Sequence, residues 1–384
     1  MTGVDRLTSR REQTLHPAAA GSTTPAQPHL HRARPSQGSG WYDARPERNH
    51  DMAHRALRII AAAALAGSVL TACTTEPATT GTTGGAGKGS SDGKLVLGFA
   101  QVGAESGWRT ANTKSVRDAA EKAGIELKFS DAQQKQENQI KAIRTFIQQK
   151  VDVIAFSPVV ESGWDTVLKE AKNAGIPVIL TDRAVDSQDT SLYRTFLGSD
   201  FVKEGEEAGK WLVKEYEGTS EPINVVELQG TTGSAPANDR KAGFAEAIKG
   251  DPKFKVVASQ TGDFTRAKGK EVMQAFLKSH EDIDVLYAHN DDMALGAIQA
   301  IEEAGKKPGT DIKVISVDGI KDAFVAMEQK KINVVVECNP LLGDQLMELA
   351  KKVAAGEDVP RRVETKEGVF TQDQAAAALP GRQY

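Results

Sequence analysis

Residues 94–129 read KLVLGFAQVGAESGWRTANTKSVRDAAEKAGIELKF. The apolar run Leu95–Ala100 has the length and continuity of a strand buried on both faces, and Ile125–Phe129 is a second such run. Between them lies a polar stretch of helical character that ends at Ala123-Gly124, where glycine supplies the left-handed stop of a helix. Strand, helix, strand in this order is a βαβ unit, and it predicts a parallel sheet covered by helices.

The same unit recurs outward from this stretch. Val153–Phe156 and Pro177–Leu180 read as further strands, each followed by a helical segment. Gln139–Gln149 sets Ile140, Ile143 and Ile147 on one helical face, and Gly163–Ala174 does the same with Trp164, Val167, Leu168 and Ala171. A second set follows, with Ile223–Leu228, Phe254–Ser259, Val285–Tyr287 and Lys313–Val317 as strands. The fold class is therefore α/β. Two successive sets of units predict two doubly wound parallel-sheet lobes, although one large sheet would leave the same local pattern.

The chain has 384 residues, enough for two cores, but its beginning is of another kind. Residues 1–51 are rich in Arg, His, Pro and Ser without apolar periodicity, and read as a disordered extension or as sequence ahead of a true start at Met52. From Met52 come His54, Arg55 and Arg58, the apolar run Ile59–Leu70, and then Leu70-Thr71-Ala72-Cys73. That order resembles a bacterial lipoprotein signal peptide over residues 52–73, and the resemblance implies cleavage before Cys73 and lipidation of its sulfur. The apolar run is too short to span a bilayer as a permanent helix. Residues 74–93, mostly Thr, Gly and Ser, have the composition of a flexible tether. Residues 1–73 hold nine Arg and five acids, which leaves 39 basic and 47 acidic residues beyond them and a net charge of −8, so nucleic acid is not an expected partner. Cys73 and Cys338 are too few and too far apart for a disulfide framework, and no metal or cofactor is expected.

Ligands of open parallel sheets sit beyond the carboxyl ends of the strands, so polar residues there carry the most weight. After the first strand comes Glu105-Ser106-Gly107-Trp108-Arg109, and after the fourth Asp182-Arg183. The second half supplies Asp239-Arg240, Asp263-Phe264, Asn290-Asp291-Asp292 and Asp318-Gly319. Planar Asp, Asn and Arg groups match hydroxyls that each donate and accept, while Trp108 and Phe264 on opposite sides of a cleft offer apolar faces to the C–H faces of a sugar ring. Singly, Asp182 or Asp318 could be a helix cap and Trp108 a core residue. Enzymatic readings find little support: there is no Gly-x-Gly-x-x-Gly after the first strand, no phosphate-binding Gly-Lys-Ser/Thr loop, Gly87-Lys88-Gly89-Ser90 lying in the tether, and no Gly-x-Ser-x-Gly elbow. His289 has no evident Ser or Cys partner. Asp291-Asp292 is better read as acids drawn to a helix N-terminus than as metal ligands.

At these residues residues 94–384 resemble the periplasmic sugar-binding proteins of the ribose/galactose class, type I in fold, through GFAQVGAESGWR, DAQQKQENQIKAIRTFI, NVVELQGTTG, DRKAGFAEAIK, SQTGDFTRAKGKEVM and YAHNDDMALGAIQAI. Within the class these strings are similar to its galactofuranose-binding members. The resemblance implies a ligand held by Trp108, Arg109, Asp182 and Arg183 from one lobe, by Asp200 near the crossover, and by Arg240, Phe264, Asn290, Asp318 and Glu337 from the other lobe, with Glu105 a further candidate. Ribose binders often have paired aromatics at Trp108-Arg109 and an amide at Glu337, so a different hydroxyl pattern, such as that of galactofuranose or a similar furanose, is expected. The lobes would comprise 94–199 with 338–368, and 200–337 with 369–384, joined near Leu197–Asp200, Glu337–Pro340 and Glu367–Phe370. The implied protein is a monomeric, extracytoplasmic, lipid-anchored partner of an ABC permease and its ATPase. It has no catalytic residue and closes by a hinge around a monosaccharide. A signalling receptor without an importer would share these features, whereas a LacI-type regulator would need a DNA-binding helix pair that residues 1–93 do not offer.

Overall fold

A computed structural model describes residues 93–384. The proposed signal peptide, Cys73 and residues 74–92 of the tether lie outside the described residues.

The chain begins with β1 (Val96–Gln101), α1 (Gly107–Ala123), β2 (Glu126–Asp131), α2 (Gln136–Gln148), β3 (Val153–Phe156), α3 (Asp165–Asn173), β4 (Val178–Thr181) and β5 (Thr195–Gly198). Then follow α4 (Phe201–Glu215), β6 (Ile223–Gln229), α5 (Ala235–Ile248), β7 (Phe254–Thr261), α6 (Arg266–Ser279), β8 (Val285–Ala288), α7 (Asp291–Glu303), β9 (Lys313–Asp318), α8 (Lys321–Glu328) and β10 (Val334–Glu337). The chain ends with α9 (Gly343–Ala354), β11 (Arg362–Glu364), β12 (Val369–Thr371) and α10 (Ala375–Ala378).

These strands form two sheets, ordered β2-β1-β3-β4-β5-β11 and β7-β6-β8-β9-β10-β12. All pairings are parallel except that of β12 with β10. The two-sheet expectation therefore holds and the single-sheet alternative does not. In each sheet the winding reverses between the first strand and the third, β1/β3 and β6/β8, and a crevice opens there at the strand ends. The chain passes between sheets three times, after β5, after β10 and between β11 and β12.

Local sequence accounts for the element ends near these crevices. Ser106 caps α1 by accepting the Arg109 amide at 3.1 Å, and Gly124 closes it in the left-handed region. The α2 face differs from the expected one: it buries Gln139, Ala142, Ile143 and Phe146 and leaves Ile140 and Ile147 half-buried. The cause is the amide of Gln139. It donates to the carbonyls of Ala100 (3.2 Å) and Ser157 (2.6 Å) and accepts the Val159 amide (2.9 Å), thereby tying the ends of β1 and β3 together at the reversal. A polar anchor with three partners outweighs an extra isoleucine in choosing which face turns inward.

The second lobe packs its helices on glycine. A Cβ on Gly205 of α4 would lie 2.1 Å from the Arg240 carbonyl of α5, and one on Gly243 would lie 2.0 Å from that of Val202. Gly269 and Gly296 do the same for α6 and α7. The backbones thus approach within a distance that any side chain would prevent.

Candidate functional site

The two sets of strand ends meet in one buried cavity of about 270 Å³ of empty space. Glu105, Trp108 and Arg109 reach it from the loop after β1 and the first turn of α1, and Asp182 and Arg183 from the end of β4. From the other lobe come Arg240 of α5, Phe264 before α6, Asn290 at the cap of α7 and Asp318 at the end of β9. Contacts between the lobes close it off: the Gly107 amide donates to Asp292 (2.7 Å), the Glu161 amide to the Gly233 carbonyl (2.9 Å), and the Asn238 side chain to Glu161 (2.5 Å).

Asp182 and Asp318 are not helix caps. Both hold positive φ: 63° at Asp182 lies in the left-handed region that Asp tolerates, whereas 122° at Asp318 is strained for any residue with a side chain. The Asp318 loop is held by Asp291, which accepts from Ser316 Oγ (2.5 Å) and from the amides of Gly319 (2.7 Å) and Ile320 (2.8 Å). Asp292 accepts from Gly107 and from Arg266 Nε (3.0 Å). The acidic pair therefore serves neighbouring loops rather than the amides of its own helix.

Three buried arginines dominate the electrostatics. Arg109 pairs with Glu105 (3.0 Å) and Asp182 (2.7 Å). Arg183 donates to the Val159 carbonyl (3.1 Å), stands 3.6 Å from Glu105, and lies over the Phe264 ring at 5.2 Å, a cation–π contact across the lobes. Arg240 donates to Glu204 (2.6 Å) and to the His289 carbonyl (2.6 Å), with Asp318 at 3.8 Å. Burial alone would raise the Glu105 carboxyl, but Arg109 and Arg183 hold it below its usual range. Burial, with the Arg109 cation alongside, lowers Arg183 to about 10. Burial outweighs the attraction of Arg240 at Asp318, whose carboxyl is pushed well up, and at Glu204, raised to about 8. A neutral Asp318 carboxyl can donate as well as accept.

Within this cavity Glu105 Oε2 and Arg183 Nε are buried without a hydrogen-bond partner among the described residues, whereas Asp182 Oδ2 is met by Arg109. Such groups cost free energy unless something meets them, and here one acceptor and one donor open on a cavity that Trp108 and Phe264 also line. The set suits a small polyhydroxylated molecule. His289 is buried, its ring shares a hydrogen bond with Glu227 at 3.1 Å and burial holds it below its usual range, while its backbone carbonyl accepts from Arg240.

Asp200 and Glu337 do not line the cavity. Asp200 caps α4 by accepting the Lys203 amide at 3.1 Å. Glu337 accepts from Arg382 (2.7 Å), Tyr384 (3.2 Å) and the Gly368 amide (3.0 Å), and so faces the chain's C-terminal segment. Asn290 does line it, but its amide is engaged at both ends, accepting from Met293 N (3.0 Å) and donating to the Phe264 carbonyl (3.1 Å). Ser106, from the loop singled out after β1, also lines the cavity, and Pro236 and Cys338 do so without having been expected there. Glu204, the partner of Arg240, was missed too, and nothing in its surroundings, KEGEEAG, marks it as the one acid that turns inward.

A family model described as a periplasmic binding protein domain matches residues 97–358. The galactofuranose-binding protein YtfQ of Escherichia coli (strain K12) is 51% identical over 289 residues, 74% of this chain and 90% of that protein. A solved structure from Mycobacterium smegmatis in complex with β-D-fucofuranose is 66% identical with a TM-score of 0.75, covering 76% of this chain and 95% of that one. The binding component of the arabinose ABC transporter of Shewanella sp. ANA-3, bound to α- and β-L-arabinofuranose, is 50% identical with a TM-score of 0.72, covering 75% and 96%.

Proposed function

The chain belongs to the periplasmic binding protein family, extracytoplasmic proteins that bind solutes rather than transform them, and on that premise we propose that it captures a furanose for an ABC importer. The observation that carries this reading is the convergence, from both lobes, of Glu105, Asp182 and Arg183 with Arg240 and Asp318 on a cavity flanked by two aromatic residues. The acceptors Glu105 and Asp182 take ring hydroxyl protons, Arg183 donates to a hydroxyl oxygen, and Asp318 can do either. Trp108 and Phe264 cover the C–H faces. The relatives' furanose ligands, galactofuranose, fucofuranose and arabinofuranose, point to the five-membered ring as the recognised feature.

Closure is the functional event. A sugar that contacts both lobes binds the shut form better than the open one, and that difference in affinity shifts the hinge. The shut monomer then docks on the permease, and Cys73, lipidated, keeps it at the membrane.

Calorimetric titration of the full chain tests the reading. Galactofuranose or L-arabinofuranose is expected to bind, and methyl galactopyranoside, locked in the six-membered ring, is not. Trp108→Ala and Arg183→Ala should each weaken binding at least tenfold, about 1.4 kcal/mol; equal affinity in both variants would refute the location. Separately, Cys73→Ala should release the protein from membranes, and continued attachment would refute the lipid anchor.

A further inference from the structure

Behind the cavity the three crossings of the chain run side by side, and their side chains form a second cluster. One oxygen of Glu367, on the third crossing, accepts from Ser199 Oγ on the first, from the Asn339 amide (3.0 Å) on the second and from Thr365 Oγ1 (2.6 Å). Its other oxygen accepts no hydrogen bond among the described residues. Cys338, beside Asn339, is buried 3.3 Å from Ser199 Oγ. Glu204, in the first turn of α4, gives Oε2 to Arg240, while its Oε1 is buried without a partner although the residue is only 3% exposed. One ligand atom each from Glu204, Cys338 and Glu367 lie within 4.8 Å of one another. Glu204 and Glu367 border a cleft on which Asp200, Glu207, Glu337 and Glu364 also open, with Lys203 the one basic lining residue, while Cys338 lines the sugar cavity on the other side.

We propose that Glu204, Cys338 and Glu367 form a hinge site for one thiophilic divalent cation of the Zn²⁺ class. One sulfur and two carboxylate oxygens are a ligand set for Zn²⁺ or Co²⁺, with a fourth position open to the cleft. The Glu204 carboxylate, held at Oε2 by Arg240 and lying beside the Cys338 thiol, supplies one ligand oxygen, and the surrounding carboxylates attract the cation. Arg240 on the other Glu204 oxygen, and Ser199, Thr365 and Asn339 on Glu367, hold these carboxylates in place as outer partners. On binding, Cys338 forms a sulfur–metal bond, and its thiol proton together with the proton held on Glu204 passes to solvent, so affinity rises with pH. The ion joins the second lobe's α4 to two crossings in the shut geometry and therefore favours closure. This coupling, unlike ion binding itself, rests on the function proposed above.

The test uses the full chain carrying Cys73→Ala, in which Cys338 is the only cysteine. After chelation and dialysis it is titrated with Zn²⁺, and separately with Co²⁺. One ion per chain and a thiolate-to-Co²⁺ charge-transfer absorption are expected; that band distinguishes this site from histidines elsewhere. Cys338→Ser should remove the band, and both Cys338→Ser and Glu367→Gln should weaken Zn²⁺ binding at least tenfold. Absence of the band in the parent chain, or Zn²⁺ affinity unaltered in both variants, would overturn the site whether or not the variants are less stable. Sugar affinity is expected to rise with Zn²⁺ by the same factor that sugar raises Zn²⁺ affinity. No such change would overturn the coupling, while intact ion binding without any furanose binding would count against the proposed function alone.

Discussion

Arg240→Met is expected to abolish measurable furanose binding and to lower the melting temperature by roughly 6–20 °C. Arg240 is fully enclosed, and its guanidinium is shared by Glu204, the His289 carbonyl and Asp318. Met fills a similar volume, so loss of packing is small and the charge is what disappears. Removing one partner of a buried ionic network leaves the others uncompensated, which costs about 3–5 kcal/mol. A domain of this size loses about 2–4 °C per kcal/mol, hence the expected range. The burial that already raises Glu204 to about 8 would then act without its cation, and the carboxyl would be pushed further up. Differential scanning calorimetry and sugar titration read the two effects. A variant that melts with the parent and binds sugar normally would mean that Arg240 is neither structural centre nor ligand contact.

Gly205→Val should be as damaging by a different route. Its Cβ would fall 2.1 Å from the Arg240 carbonyl, and backbone cannot yield as a side-chain tip can. The reciprocal contact, Gly243 against the Val202 carbonyl, leaves α4 and α5 no way to slide apart on one side only. Overpacking of this kind costs about 1–3 kcal/mol and sometimes more, and here it also displaces the helix that carries Arg240. Reduced soluble yield, a lower melting temperature and weakened sugar binding are expected together. The same substitution at Gly250, where a Cβ meets nothing, should change none of them. Parent-like behaviour of Gly205→Val would show that the helix contact is looser than described.

Much of this arrangement was legible in the sequence because it is written in local signals. Buried strands such as Val153–Phe156 are continuous apolar runs, Gly124 marks a helix stop, and the residues beyond the strand ends are those a crevice uses. What escaped depends on distant parts of the chain. Glu337 was expected at the sugar but turns to Arg382 and Tyr384, and only the path of the last residues decides that. Asp200 lies next to a crossing, yet its neighbour Lys203 supplies an amide that needs a cap. The inward turn of α2 follows from Gln139 meeting two strand ends that are far from it in sequence, and the importance of Glu204 follows from an arginine 36 residues on.

The account depends on a single guest held by both lobes at once. A crystal structure of the chain grown with galactofuranose addresses this directly. It should show a five-membered ring between Trp108 and Phe264, with hydroxyls within hydrogen-bond distance of Arg183 from one lobe and Arg240 or Asp318 from the other. Sugar density outside this cavity, or touching residues of one lobe only, would contradict it.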